Sequence, residues 1–277
     1  MKLIFLDIDG TLTLPTGDIS TLTKQAIVQA RKNGHLVFLC TGRNKAAVTS
    51  LLHIGFDGMI CSAGGYIEVQ QNVIKEEYLS DTDVQEARQV FEYNHMIYNL
   101  EATDCTFLED EMIKFLINPV LEKNQVNSEM NRLIQQEKEK FNVCSIKEYD
   151  QKPIPIHKLC FIAFHSQDIE QAKQALSYKY QFIVHDLFSE KTINGEIIKK
   201  GINKGKAIKQ VLDYLHLDIQ DTIGFGDSMN DLEMIQLCHI GVAMGNGSQE
   251  LKKWADIVCE TVQEDGVYHE LKRQGLI

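Results

Sequence analysis

The feature that most constrains this chain is a short apolar run that stops on two carboxylates. Residues 2–8 carry Leu3-Ile4-Phe5-Leu6, and the chain then reads Asp7-Ile8-Asp9-Gly10-Thr11. A continuous apolar run bounded by a glycine predicts a strand buried on both faces, as parallel strands covered by helices are. Side chains alternate along a strand, so Asp7 and Asp9 start on one face while Ile8 points into the packing. Gly10 lets the backbone turn sharply. In open α/β sheets, ligands bind in the crevice beyond such carboxyl ends.

The same pattern recurs. Residues 20–33 place Leu22, Ala26, Ile27 and Ala30 at helical spacing, with Gly34 as the stop. Residues 35–40 read as a second buried strand ending at Thr41-Gly42-Arg43. A helix carrying Ala46, Ala47, Leu51 and Leu52 follows, and a third strand centres on Met59-Ile60-Cys61. The stretch 13–18 reads as a tight hairpin or flap. After about residue 190 the pattern returns, with a helix over 204–215 and a strand over 222–225 that runs into Gly226-Asp227. A helix over 231–237, a strand over 239–244, a Ser248-capped helix to Trp254 and a strand over 256–259 complete it. Alternating strands and helices predict a doubly wound parallel sheet, a Rossmann-like α/β core.

Between the two stretches the texture differs. Helical segments at 83–94 and 126–141 mix with strands at 96–101, 104–108, 158–164 and 181–187. Pro153 and Pro155 mark a loop, and Asn194-Gly195 is a hairpin-type turn signal. The expected organisation is a core of residues 1–81 and 190–277, interrupted by an inserted α+β cap domain over 82–189. A chain of 277 residues is long enough for both.

Two carboxylates at one strand end repel each other, and a hard cation with oxygen ligands relieves the crowding. Magnesium suits chemistry on phosphate best. Other strand ends supply the remaining pieces. Thr41 is expected to offer a hydroxyl and a free backbone N–H. Asp227 and Asp231, in Gly226-Asp227-Ser228-Met229-Asn230-Asp231, can complete the metal site. Lys204 opens a helix and brings a positive charge beside its N-terminus, a favourable place for an anion. A nucleophilic carboxylate, a second acid, a cation, a hydroxyl and a lysine suffice for phosphoryl transfer. Each piece alone is an ordinary cap or surface residue. Four in this order, each at a strand–loop–helix junction, are not.

These residues resemble the haloacid dehalogenase-like (HAD) superfamily, in particular its Cof-type branch of sugar-phosphate phosphatases. Asp7-Ile8-Asp9-Gly10-Thr11-Leu12 matches the first motif, Thr41-Gly42-Arg43 the second, Lys204-Gly205 the third and Gly226 to Asp231 the fourth. Val242-Ala243-Met244-Gly245-Asn246 and Glu264-Asp265-Gly266-Val267 are similar to that branch's closing segments. The resemblance implies a phosphatase of small phosphorylated metabolites with a C2-type cap. It implies that Asp7 attacks phosphorus and forms an aspartyl-phosphate, and that Asp9 protonates the leaving oxygen and then activates water. It further implies magnesium held by Asp7, the Asp9 carbonyl and Asp227, with Asp231 nearby. Thr41, Gly42, Arg43 and Lys204 would bind the phosphoryl end of the substrate, Lys204 also steadying Asp7. Two departures stand out. Ala63-Gly64-Gly65 replaces the branch's frequent Asn-Gly-Ala, and Gly247 replaces a frequent alanine, a change expected to matter little.

Composition narrows the partners. With 39 acidic against 28 basic residues the formal net charge is −11, which argues against nucleic acid or an anionic membrane as partner. The first apolar run is too short for a signal core or a membrane span. Seven scattered cysteines form no CxxC pair and point to a reducing cytoplasm, and the histidines show no metal spacing. The oligomeric state is left open. Two alternatives compete with hydrolysis: a phosphomutase, which needs a basic cap for a distal phosphate, and a catalytically silent binding protein. Residues 82–190 hold only Arg88 and Arg132 as arginines, and every chemical position is filled. Both observations favour a phosphatase.

Overall fold

The computed structural model describes residues 1–14, 16–116, 142–184 and 192–277. Two compact units emerge. The first comprises Met1–Arg43, Val48–Glu76 and Ile202–Ile277, and the second Asn44–Ala47 with Glu77–Gly201. In chain order, β1 (Leu3–Leu6), β2 (Leu36–Cys40), β3 (Gly58–Cys61), β4 (Tyr66–Val69) and β5 (Asn72–Glu76) belong to the first unit. The second holds β6 (Ile97–Glu101), β7 (Thr106–Leu108), β8 (Val143–Ser145), β9 (Lys158–Ala163), β10 (Tyr180–Val184) and β11 (Ile193–Lys199). β12 (Thr222–Gly226), β13 (Ile240–Ala243) and β14 (Ile257–Val258) return to the first.

In the first unit the strand order is β14-β13-β12-β1-β2-β3-β4-β5. β1 lies inside the sheet, parallel to β12 on one side and to β2 on the other. Its four apolar residues are fully buried and split between two cores by the alternation of the strand. Ile4 and Leu6 join Ile27, Ala30 and Leu271 on one face, whereas Leu3 and Phe5 join Phe38, Ile208 and Val211 on the other. The helix Thr21–Lys32 is capped by Ser20, whose side chain accepts from the Thr23 N–H, and ends before Gly34 at φ +86°. The helix Lys204–Leu215 starts at Asn203, whose side chain accepts from the Lys206 N–H.

Two features of this unit differ from the sequence expectation. The parallel sheet continues into an antiparallel hairpin, β4 and β5, through a turn at Gln70 and Gln71 with φ of +49° and +69°. The segment Ala46–Ile54 winds as a 3₁₀ helix rather than an α-helix. Its β-branched Val48, Thr49 and Ile54 carry stiff side chains that favour the α-helix poorly. The flap at 13–19 is closed by the pairing of Thr13 with Ile19 and by the Leu14 N–H on the Asp18 carbonyl at 2.8 Å.

The second unit is a six-stranded sheet of order β10-β11-β9-β6-β7-β8. The helices Asp81–Tyr93 and Ser166–Leu176 supply Val84, Phe91, Ile169 and Leu176 to an apolar core with Tyr98, Leu100, Leu159, Phe161 and Ile197. Its limits differ from the expected 82–189. Residues 193–199, read as the return of the core, form β11 between β9 and β10. Asn194-Gly195 is therefore mid-strand and not a turn. The glycine is needed there for close packing, since a Cβ at 195 would stand 2.5 Å from the Ile183 carbonyl oxygen and 2.6 Å from the Phe161 ring. The helix expected over 126–141 lies outside the described residues. Among the described residues no helix is long and apolar enough to cross a membrane.

Candidate active site

Four loops of the first unit converge beyond the carboxyl ends of β1, β2, β3 and β12. Asp7 continues β1 by donating its N–H to the Phe225 carbonyl at 3.0 Å, which fixes its side chain at the sheet edge, 4 % exposed. Lys204 reaches it from the first turn of the helix Lys204–Leu215. Its Nζ donates to Asp7 Oδ1 at 2.7 Å and to Asp231 Oδ1 at 2.5 Å, and the side chain is wholly buried. Asp231 turns its other oxygen, Oδ2, to the N–H groups of Asp227 and Ser228, at 3.0 and 3.2 Å. Both of its oxygens are thus occupied by the protein.

Asp7, Asp227 and Asp231 present carboxylate oxygens that all lie within 4.8 Å of one another. Three carboxylates face one ammonium, and the titration reflects it. Burial pushes the Asp7 carboxyl up to about 7, Asp231 adding to the effect and Lys204 opposing it. Burial, then Asp7 and Asp231, push Asp227 well above the usual carboxylate range. Burial alone would lower the Lys204 ammonium, but Asp231 and Asp7 more than offset it and hold it well above its ordinary value. Hard oxygen donors crowded around an excess of negative charge are the donor set a divalent cation fits.

Asp9 does not join that group through its side chain. Its carboxylate is held by Arg43, whose Nε donates to Oδ2 at 2.8 Å and whose terminal nitrogen donates to Oδ1 at 2.6 Å. Such a two-point pair has fixed geometry as well as charge. Thr41 is buried, and its N–H is not free as expected: it donates to the Ile60 carbonyl at 2.8 Å, because β2 extends one residue further along β3. The Thr41 hydroxyl accepts from the Arg43 N–H at 3.1 Å, so it shapes the loop through half-buried Gly42.

Several residues here had no structural role assigned from the sequence. Ser62 and Ala63, with φ of +49° and +55°, lead into Gly64 at +108°, a run of backbone strain at the end of β3. The strain is imposed by neighbours. The Ser62 and Ala63 N–H groups donate to the Arg43 and Thr41 carbonyls, and a Cβ at Gly64 would stand 2.8 Å from the Asn203 carbonyl oxygen, next to Lys204. The hydroxyls of Ser62 and Thr11 are buried without a hydrogen-bond partner. Asn246 donates to the Gly10 carbonyl at 2.8 Å and accepts from the Val262 N–H at 2.8 Å, tying the first motif to the closing segment. Gly247 is less interchangeable than expected, since a Cβ there would lie 2.7 Å from the Asp227 carbonyl oxygen. Asn44, next to Arg43, lies in the second unit, where its amide donates to the Ala102 carbonyl at 3.0 Å and to the Thr106 hydroxyl at 3.2 Å.

Comparison with known proteins bears on this geometry. The profile of the haloacid dehalogenase-like hydrolase family matches residues 4–271. The chain is 30 % identical over 281 residues to the 5-amino-6-(5-phospho-D-ribitylamino)uracil phosphatase YwtE of Bacillus subtilis, covering 96 % of each chain. It is 26 % identical over 269 residues to an HMP-PP phosphatase of Yersinia pseudotuberculosis, covering 91 % of this chain and 86 % of the relative. A solved haloacid dehalogenase-like hydrolase from Bacteroides thetaiotaomicron superposes with a TM-score of 0.79 at 22 % identity, over 98 % of each chain, and so shares the fold.

Proposed function

This chain belongs to the haloacid dehalogenase-like hydrolase family and is a phosphatase, and from that premise we propose that it hydrolyses phosphomonoesters of small metabolites through Asp7. The observation that carries the proposal is the buried carboxylate of Asp7, fixed by Lys204 at 2.7 Å at the end of β1. A carboxylate held rigidly beside an ammonium is a nucleophile with a ready partner for phosphoryl oxygens.

In the proposed reaction an Asp7 oxygen bonds to phosphorus as the ester oxygen leaves, taking a proton from Asp9. Water then attacks the aspartyl-phosphate, Asp9 removes its proton, and Asp7 is released with inorganic phosphate. Lys204 steadies Asp7 and the transferred oxygens. Asp7 and Asp227, with the Asp9 carbonyl, would hold magnesium, which would supply positive charge to the phosphoryl group. Asp231 serves better as a support than as a direct ligand, since Lys204 and two backbone N–H groups already occupy its oxygens. Arg43 occupies both oxygens of Asp9, so proton transfer requires that pair to open. An incoming phosphoryl dianion offers the guanidinium a competing partner. The second unit would act as the cap that selects among esters, because Asp7, Lys204 and Thr41 meet only the phosphoryl group common to them all.

Purified protein with magnesium should release phosphate from an aryl phosphate and from a subset of phosphorylated metabolites. Acid quenching during turnover, followed by mass spectrometry, should find phosphate on the peptide containing Asp7. Turnover without any such adduct, even in rapid-quench samples, would reject the covalent route.

A further inference from the structure

A cavity of about 570 Å³ opens on the first unit, lined by the helices Thr21–Lys32 and Gly266–Arg273 together with Ile277. It shares no residue with the candidate active site. The two helices pack through Ile27, Ala30, Val267 and Leu271, which belong to one apolar core. They are also tied at both ends. At the start, Asp265 Oδ1 accepts from the hydroxyls of Ser20 and Thr23. At the finish, the Asn33 amide donates to the Leu276 carbonyl at 2.9 Å. Walls fixed at both ends form the cavity before any ligand arrives, so little ordering is left for binding to impose.

The lining joins apolar and cationic groups. Val28, Tyr268 and Ile277 supply apolar surface, Lys24, Lys32 and Lys272 supply charge, and no lining residue carries an acidic side chain. That is unexpected on a chain of net charge −11. None of the three ammonium groups forms an ion pair with a described residue. Two of them have a local explanation. Lys32 and Lys272 stand in the last turns of their helices, where the dipole favours a cation, and Lys272 lies 5.9 Å from the centre of the Tyr268 ring. Lys24 has none. It stands in the first turn of its helix, where the dipole opposes a cation, and is half-buried there. Lys24, Val28 and Lys32 recur every fourth residue and so line one stripe, with about 12 Å between the two lysines along the axis.

We infer that this cavity binds a small organic acid with an aliphatic body, Lys24 being the counter-ion of its carboxylate. Size selects a small molecule, since such sites run from roughly 300 to 1,000 Å³. Apolar walls reward an apolar body, and cations without an acidic neighbour reward a negative charge. The charge is expected at one point of the ligand, because Lys24 and Lys32 stand too far apart to grip a single anion together. An aliphatic body suits better than an aromatic one. The Tyr268 ring already meets Lys272 and, at 75°, the His269 ring 5.2 Å away, so it offers contact more than an open stacking face. The site is distinct from the proposed hydrolysis, and its occupation requires neither magnesium nor Asp7.

The test is calorimetric titration of the full chain, in chelator, with octanoate and with octanamide, which has the same chain and no charge. Octanoate should fill one site per chain with a Kd of about 1 mM, as its few non-hydrogen atoms allow. Octanamide should bind about fivefold more weakly, the contribution of one partly exposed ion pair. Lys24→Gln should weaken octanoate by about the same factor and leave octanamide unchanged. Val28→Trp should fill the cavity and remove both. Lys209→Gln, at an exposed position of the helix Lys204–Leu215, removes the same charge outside the cavity and should change neither. Circular dichroism checks that each variant folds, and should Val28→Trp fail, the two lysine variants decide. Absence of saturable octanoate binding, equal affinity for octanamide, or equal effects of Lys24→Gln and Lys209→Gln would overturn the inference. The titration involves no turnover, so these outcomes leave the phosphatase reading standing, and a protein without phosphatase activity would leave this site standing.

Discussion

Arg43 clasps Asp9 at two points, its Nε on Oδ2 at 2.8 Å and its terminal nitrogen on Oδ1 at 2.6 Å, and both side chains are largely shielded. The pair holds the proposed acid–base residue in one orientation and places a guanidinium where a phosphoryl group would compete for it. Arg43→Ala should therefore raise KM and lower kcat together. The loss of charge-assisted hydrogen bonds of ~1.5–3 kcal/mol corresponds to about 10- to 100-fold in kcat/KM. Arg43→Lys should recover little, because one ammonium cannot reproduce the two-point geometry. Steady-state kinetics of both variants on an aryl phosphate checks this, and a Lys variant equal to wild type would mean that the fork is dispensable.

Asp7→Ala should reduce turnover to background, since Asp231, the other carboxylate that Lys204 holds, already has its second oxygen on two backbone N–H groups. Asp9→Ala should retain a measurable rate, lowered by the ~10²–10⁴-fold typical of general acid–base help. Single-turnover measurements separate the two cases. Near-normal rates in Asp7→Ala would place the nucleophile elsewhere.

Chelation should abolish activity and magnesium should restore it, with calcium a poor substitute because it takes more ligands at longer distances. Asp227→Ala should raise the magnesium concentration needed for half-maximal rate with little loss of thermal stability, as it removes a carboxylate already crowded by Asp7 and Asp231. Undiminished activity in chelator would refute the cation's role.

The pH dependence of stability follows from Asp7. Its carboxyl is raised to about 7 in the folded, cation-free protein, above the ~4 of an unfolded chain, so the folded state holds the proton more tightly. The associated stability is complete below about 4 and is lost as pH rises through about 7. In chelator, Tm should fall across that interval, and Asp227 works in the same direction. Magnesium should flatten the decline by favouring the ionised carboxylates. Differential scanning fluorimetry from pH 5 to 8 tests it, and a Tm that climbs with pH in chelator would contradict it.

Gly10→Ala should damage both fold and site. Gly10 has φ +77°, and a Cβ there would overlap the Asp227 carboxylate. Strain together with displacement of Asp227 should cost about 1–3 kcal/mol of stability and weaken activation by magnesium. A chemical denaturation curve and a magnesium titration report the two effects separately, and a wild-type magnesium response would show that Asp227 can give way.

What the sequence determined by itself was local and periodic. The run Leu3-Ile4-Phe5-Leu6 specified a buried strand because no other short element accommodates four consecutive apolar side chains with a carboxylate next in line. Gly34 and Ser248 marked helix ends through capping chemistry that depends on immediate neighbours. Spacing also drew attention to Asp7, Asp9, Lys204, Asp227 and Asp231, since each follows a strand or opens a helix. Tertiary structure decided which of these groups meet. Lys204 lies 197 positions from Asp7, and only the alignment of β1 beside β12 brings that helix start to the carboxylate. The same packing turned Asp9 to Arg43 and closed the Thr41 N–H onto Ile60. It drew Asn194-Gly195 into the middle of a strand, where hairpin propensity gave way to the space beside Phe161.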